Sequence, residues 1–183
     1  MVTSNIAVFL DRDGIINVPI KIDNKPKAPL KYEHFQFTKN IKQMINNLKS
    51  FEVEIIVITN QPELSNNELS YSELNKMHLR IHNELGIKNI YICPHILEDN
   101  CNCKKPKNGM LIEASKDLNI DLENSIMIGD RWSDVASGNS TKTKCIFVDY
   151  NYDEKIPTGV FTSVSNVQEA FNLVMGDLSN VEK

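Results

Sequence analysis

With 183 residues, 41% of them hydrophobic, the chain has the size of one domain (1–183) and enough apolar material for a substantial core. Its formal net charge of −4 argues against non-specific nucleic-acid binding, which needs a basic footprint, but leaves room for a local phosphate pocket. No apolar run approaches the roughly 20 residues of a membrane-spanning helix, and the opening MVTSN lacks a basic and then apolar leader pattern, so a soluble cytoplasmic protein without membrane contacts is expected.

Ile6–Leu10 is almost continuously apolar, the pattern of a strand buried on both faces. It runs into Asp11-Arg12-Asp13-Gly14. Two carboxylates one residue apart repel each other unless a cation or acid–base chemistry engages both. A turn at Gly14 lets them face one small volume, where one acid can attack an electrophile and the other can move a proton. Alone, such a pair also suits a turn or a helix cap. Ile20–Leu30, rich in Pro and Lys, reads as a loop. Lys39–Leu48 reads as a helix with Ile41, Met44, Ile45 and Leu48 on one face. Glu54–Thr59 is the next buried strand, ending in the Thr59 hydroxyl and the Asn60 amide.

Ser70–Leu85 reads as a second helix, with Leu74, Met77, Ile81 and Leu85 inward and Gly86 as its stop. His78 and His82 on it read as surface or packing residues. The strand Asn89–Cys93 follows, then the helix Gly109–Leu118, the strands Ser125–Gly129 and Thr143–Val148, and the helix Asn166–Met175 with a frayed tail after Asp177. Strands alternating with helices predict an α/β fold, a doubly wound parallel sheet with ligands at the carboxyl ends of its strands.

Polar residues gather at that edge. Asp130 follows one strand, and Asp134 shares its face if the chain turns helical there. Asp134 alone also suits a helix start. Three or four convergent carboxylates call for a hard cation, Mg²⁺. With Lys104, Lys105 and Thr59 nearby, the set has the makings of a phosphoryl-transfer site acting on a small phosphorylated substrate. Arg131 either contacts substrate or pairs with a carboxylate, and Trp132 reads as a packing anchor, with stacking on a substrate ring as the alternative. Cys93, His95, Cys101 and Cys103 form C-x-H-x5-C-x-C. Three thiolates and an imidazole suit tetrahedral Zn²⁺, with no position left for water, so the ion is structural. The alternative is a surface loop of free cysteines. Cys145 reads as a buried small hydrophobe.

The pieces D-R-D-G (11–14), T-N-Q (59–61), K-K-P (104–106) and G-D-x-x-x-D (129–134) together resemble the haloacid dehalogenase (HAD) phosphatase superfamily. That resemblance implies Asp11 as the nucleophile that forms an aspartyl-phosphate and Asp13 as the acid and base. It implies Thr59 and Lys105 on the phosphoryl oxygens, and Asp11, the Asp13 carbonyl and Asp130 on Mg²⁺. Asp134 would orient Lys105 or a metal-bound water. The zinc loop is similar to that of two subfamilies without a large cap domain, the D-glycero-D-manno-heptose 1,7-bisphosphate phosphatases of lipopolysaccharide synthesis and the histidinol-phosphate phosphatases. The stretch Asn108–Leu111 favours the first as the implied activity. Lys104 stands where those enzymes carry an arginine, and Gln61–Asn67 lacks their Arg-Gly pair. Outside the enzyme class, the alternative is an inactive zinc-loop binding module. The lack of a long apolar stripe leads to the expectation of a monomer.

Overall fold

The computed structural model describes residues 5–23 and 25–181. In chain order the elements are β1 (Ile6–Leu10), β2 (Ile20–Ile22), β3 (Lys25–Lys27), α1 (Ile41–Leu48), β4 (Val53–Asn60), α2 (Tyr71–Leu85) and β5 (Asn89–Cys93). Then come α3 (Gly109–Leu118), β6 (Ile126–Gly129), α4 (Trp132–Asn139), β7 (Lys144–Val148), β8 (Thr162–Val164) and α5 (Val167–Val181). The main sheet has the order β5-β4-β1-β6-β7-β8, and every pairing in it is parallel.

The central strands read as unbroken apolar runs because both faces are covered. Val8 and Leu10 of β1 pack with residues of α1, α2 and α5. Ala7 and Phe9, pointing the other way, pack with residues of α3 and α4. The same alternation divides Ile55 and Val57 from Ile56 and Ile58 on β4, as a pleat of period two requires. Helix α2 starts where the Ser70 hydroxyl accepts the Glu73 N–H and stops at Gly86 with φ +66°.

From β1 the chain winds outward through β4 to β5, then returns to the opposite side of β1 to lay down β6, β7 and β8. The strand order therefore reverses between β1 and β6. A crevice opens at such a reversal, beyond the carboxyl ends of the two strands, and ligands bind there in this architecture.

Two expectations are corrected. Ile20–Leu30 is not simply a loop, since β2 and β3 pair antiparallel within it. Pro26 is no obstacle, because each strand of a lone hairpin has a free edge and no central ladder bond is lost. From Asp177 to Val181 the chain is not frayed: α5 continues to Val181, held by Phe171, Val174 and Leu178, which are all buried in the core, and the rest of the expected frayed tail, 182–183, lies outside the described residues. The short β8 at the sheet edge was not anticipated.

Candidate active site

Asp11 directly follows β1 and Asp130 directly follows β6, so adjacent parallel strands deliver two carboxylates to the crevice. The Asp11 N–H donates to the Ile128 carbonyl at 2.9 Å, which extends the ladder one step past the strand and fixes the nucleophile candidate's backbone. Gly14 allows the close approach. Its φ is +101°, and a Cβ there would lie 1.9 Å from Asp130 Oδ2. Gly129 does the same for the third acid, since a Cβ there would lie 2.3 Å from Asp134 Cβ. Asp134 sits in the first turn of α4, where its Oδ2 accepts the Arg131 N–H at 3.0 Å. Carboxylate oxygens of Asp11, Asp130 and Asp134 all lie within 4.8 Å of one another.

Lys105 is a buried cation set against this group. Its Nζ lies 2.8 Å from Asp11 Oδ1 and 2.6 Å from Asp134 Oδ1, and donates to the Ile58 carbonyl at 3.0 Å. Burial alone would lower its pKa, but Asp11 and Asp134 outweigh burial and raise it. Asp11 moves the other way: burial, against the pull of Lys105, pushes its carboxyl from 3.8 up to about 7. Asp130 is raised well above the carboxylate range by burial and by its acidic neighbours. Neither Asp130 oxygen has a hydrogen-bond partner of standard geometry among the described residues, and the nearby Tyr152 hydroxyl offsets only part of the cost. A buried carboxylate is costly unless paired or bound to a metal. This orphaned acid, in a cluster of hard oxygen donors, fits a site for Mg²⁺.

Asp13 is held separately. Arg12 Nη2 donates to both its oxygens at 2.9 and 2.8 Å, Asn17 Nδ2 to Oδ1 at 2.9 Å, and Gln61 Nε2 to Oδ2 at 2.8 Å. Burial would raise the Asp13 carboxyl, but Arg12 and the two amides hold it below the ordinary value. Arg12 itself is 0% exposed. Its Nη1 lies 3.4 Å from His78 Nε2. Burial, helped by Arg12, pushes His78 down to about 3, so the neutral ring is the acceptor. His78 is therefore neither a surface residue nor mere packing. It stands one contact behind Asp13, while His82 is exposed.

The Gln61 amide also donates to Thr59 Oγ1 at 2.8 Å, joining the end of β4 to Asp13. Asn60 clamps Lys105 reciprocally: Nδ2 donates to the Lys105 carbonyl and the Lys105 N–H donates to Oδ1, both at 3.0 Å. Lys104 Nζ donates to the His95 carbonyl at 2.9 Å. Arg131 forks through Nε and Nη2 onto the Glu154 carboxylate. Thr59, Asn60, Lys104, Lys105 and Arg131 line one cleft of about 360 Å³ with Asp11 and Asp13. Trp132 lines it too and is half-buried, with Lys155 Nζ 4.3 Å from its ring centroid.

Cys93, the last residue of β5, lies 3.6 Å from both His95 Nδ1 and Cys101 Sγ, and 3.2 Å from Cys103 Sγ. Cys103 Sγ is 3.2 Å from His95 Nδ1 and 3.5 Å from Cys101 Sγ. The cysteines are unbridged. Donors about 2.0–2.3 Å from a tetrahedral ion are about 3.5 Å apart, so this set fits Zn²⁺. The Lys104 N–H points at Cys101 Sγ at 3.4 Å, the kind of outer contact that supports a thiolate. Cys145 is apart from the cluster and buried.

Arg12 and His78 were not singled out for the site in the sequence, and Asn17 and Gln61 only as the first residues of the stretches Asn17–Tyr32 and Gln61–Glu68 expected to shape it. Gln61 stands within T-N-Q and Arg12 within D-R-D-G, which was the available signal. Nothing in the helical pattern of α2 marks His78 off from His82.

The HAD-hydrolase-like family model matches residues 102–163. The chain is 35% identical over 150 residues to the D-glycero-beta-D-manno-heptose-1,7-bisphosphate 7-phosphatase of Helicobacter pylori strain J99, covering 79% of this chain and 83% of that protein. It is 32% identical over 172 residues to the D-glycero-alpha-D-manno-heptose-1,7-bisphosphate 7-phosphatase of Campylobacter jejuni, covering 91% and 94%. The crystal structure of D,D-heptose 1,7-bisphosphate phosphatase from B. bronchiseptica, complexed with magnesium and phosphate, matches with a TM-score of 0.80 at 20% identity, covering 94% of this chain and 99% of that one. Among the described residues, no helix is long and apolar enough to cross a membrane. A parallel sheet with this crevice, and relatives of this identity over most of both chains, make the protein a member of the HAD-like phosphatase family.

Proposed function

We propose that the protein is a Mg²⁺-dependent phosphomonoesterase that releases the 7-phosphate of D-glycero-D-manno-heptose 1,7-bisphosphate through an aspartyl-phosphate on Asp11. The observation that carries this is Lys105, buried between Asp11 and Asp134 beside the unpartnered Asp130. A non-catalytic module has no use for so costly a charge cluster.

Hydrogen bonds to Asp11 from Lys105 Nζ and the Arg12 N–H both fall on Oδ1. Oδ2 is then the oxygen that attacks phosphorus. As the bond from phosphorus to the sugar oxygen breaks, Asp13 donates its proton to that oxygen. Asp13 is held ionised by Arg12 in the free protein, and the negative charge of an incoming phosphate favours its proton uptake. In the second half, water attacks phosphorus, Asp13 takes the water's proton, the bond to Asp11 breaks, and inorganic phosphate leaves. Lys105 and Thr59 hold phosphoryl oxygens throughout. Asp11, Asp130 and the Asp13 carbonyl would hold Mg²⁺, which neutralises charge on the transferring group. Asp134 keeps Lys105 in place.

Cys93, His95, Cys101 and Cys103 would hold a structural Zn²⁺ that staples the loop leading into Lys105. Reduced thiols of this kind belong to a cytoplasmic protein. The whole chain, 1–183, acts as one catalytic unit, since each site residue comes from the main sheet or the loops it carries.

The test is phosphate release with Mg²⁺ from both anomers of heptose 1,7-bisphosphate and from histidinol phosphate, side by side. A large preference for the heptose is expected. A preference for histidinol phosphate would overturn the substrate assignment and leave the phosphatase chemistry standing.

A further inference from the structure

Five cationic side chains line the cleft, and three of them are already engaged. Lys105 lies between Asp11 and Asp134. Lys104 Nζ is spent on the His95 carbonyl. Arg131 is forked onto Glu154. The remaining two, Lys25 and Lys27, belong to the β2–β3 hairpin. Both are exposed, and neither has an ion-pair partner among the described residues.

The hairpin is a built element. Ile20 pairs with Lys27, Lys21 with Pro26, and Ile22 with Lys25. The pleat turns Lys25 and Lys27 to one side and buries Pro26 on the other. Lys21 Nζ lies 5.8 and 5.4 Å from the ring centroids of Tyr150 and Tyr152, within cation–π range. The Tyr150 hydroxyl in turn donates to the Gly14 carbonyl at 3.0 Å. The hairpin is thus tied, through Lys21 and Tyr150, to the turn that follows Asp11 and Asp13.

We propose that Lys25 and Lys27 grip the distal phosphate of a bisphosphorylated substrate, which makes the hairpin the element that selects bisphosphates over monophosphates. This rests on the bisphosphate reading above. Two ammonium groups at adjacent outward positions of one strand match a phosphate dianion in charge. As point charges on flexible stems they impose no fixed fork geometry. The hairpin then performs the task that Lys104, turned toward His95, does not.

The experiment compares wild type, the K25Q/K27Q double variant and the K25R/K27R double variant on heptose 1,7-bisphosphate and on heptose 7-phosphate, which lacks the distal group. Circular dichroism checks that each variant is folded. Wild type is expected to show the lower KM for the bisphosphate. In K25Q/K27Q that KM should rise about tenfold, or about 1.4 kcal/mol, both charge contacts having been lost. Its kcat, and both constants for the monophosphate, should hold. K25R/K27R should keep the preference. If K25Q/K27Q keeps it as well, or loses affinity for both substrates equally, the hairpin assignment is overturned while the bisphosphate reading stands. If wild type itself shows no preference, the bisphosphate reading fails and takes the hairpin's role with it.

Discussion

Replacing Asp11 with Asn removes the proposed nucleophile and one of three crowded carboxylates, and the two effects are measurable apart. Turnover should vanish. Stability without divalent metal should rise. The Asp11 carboxyl is raised from 3.8 to about 7, chiefly by burial. The folded chain therefore binds a proton there more tightly than the unfolded chain, and stability falls as pH climbs from near 4 through 7. The full difference is worth about 4 kcal/mol by linkage. Asn escapes that cost but weakens the hold on Lys105, which keeps Asp134 at 2.6 Å. A net gain of about 1–3 kcal/mol is expected at pH 7.5, or roughly 3–10 °C in Tm for a chain of this size. The gain should shrink toward pH 4, close to the ordinary value of 3.8 at which the unfolded chain also begins to take up the Asp11 proton. Added Mg²⁺ should stabilise wild type more than D11N. Thermal unfolding of both proteins in chelator, across pH 4–8 and then with Mg²⁺, reads all of this. A D11N protein less stable than wild type at pH 7.5 in chelator would refute the electrostatic reasoning. One that still turns over would refute the assignment of the nucleophile.

Lys105→Met should abolish activity and destabilise the metal-free protein by about 3–5 kcal/mol, because Asp11 and Asp134 lose their shared cation while buried; chemical denaturation checks it. Elemental analysis should find one zinc per chain, and C101S or C103S should lose it with a drop in Tm, whereas C145S should keep it. His78→Ala should slow hydrolysis of an alkyl phosphate at least tenfold and an aryl phosphate little. The ring backs Arg12, which aligns Asp13, and a good leaving group needs less help from an acid. Equal losses on both esters would reduce His78 to a structural part.

The buried strands and the acids at their ends were legible because each depends on local chain features. Ile6–Leu10 is apolar throughout, and Asp11 can only emerge where it stops. The four proposed zinc ligands lie within eleven residues, so their spacing is a local signal too. What escaped was tertiary. Asp13 takes its hydrogen bonds from Arg12, Asn17 and Gln61, and His78 reaches Arg12 across 66 positions. That Arg131 pairs with a carboxylate was one of its two readings, but Glu154, 23 positions away, is marked by no pattern in either segment. The hairpin went unseen for a different reason. Its strands are three residues long and one holds a proline, so neither periodicity nor propensity announces them.

The Asn60 clamp on Lys105 has a consequence for how such a site diversifies. The loop from Cys93 to Lys105 is anchored at its start by β5 and at its end by two reciprocal bonds from β4. Between His95 and Cys101, the segment 96–100 contributes no metal donor and carries Leu97, which is 79% exposed. Exchanges there should leave Lys105, the proposed phosphate holder, in its place. The rim is thus free to drift toward new substrates while the chemistry at its base is inherited intact.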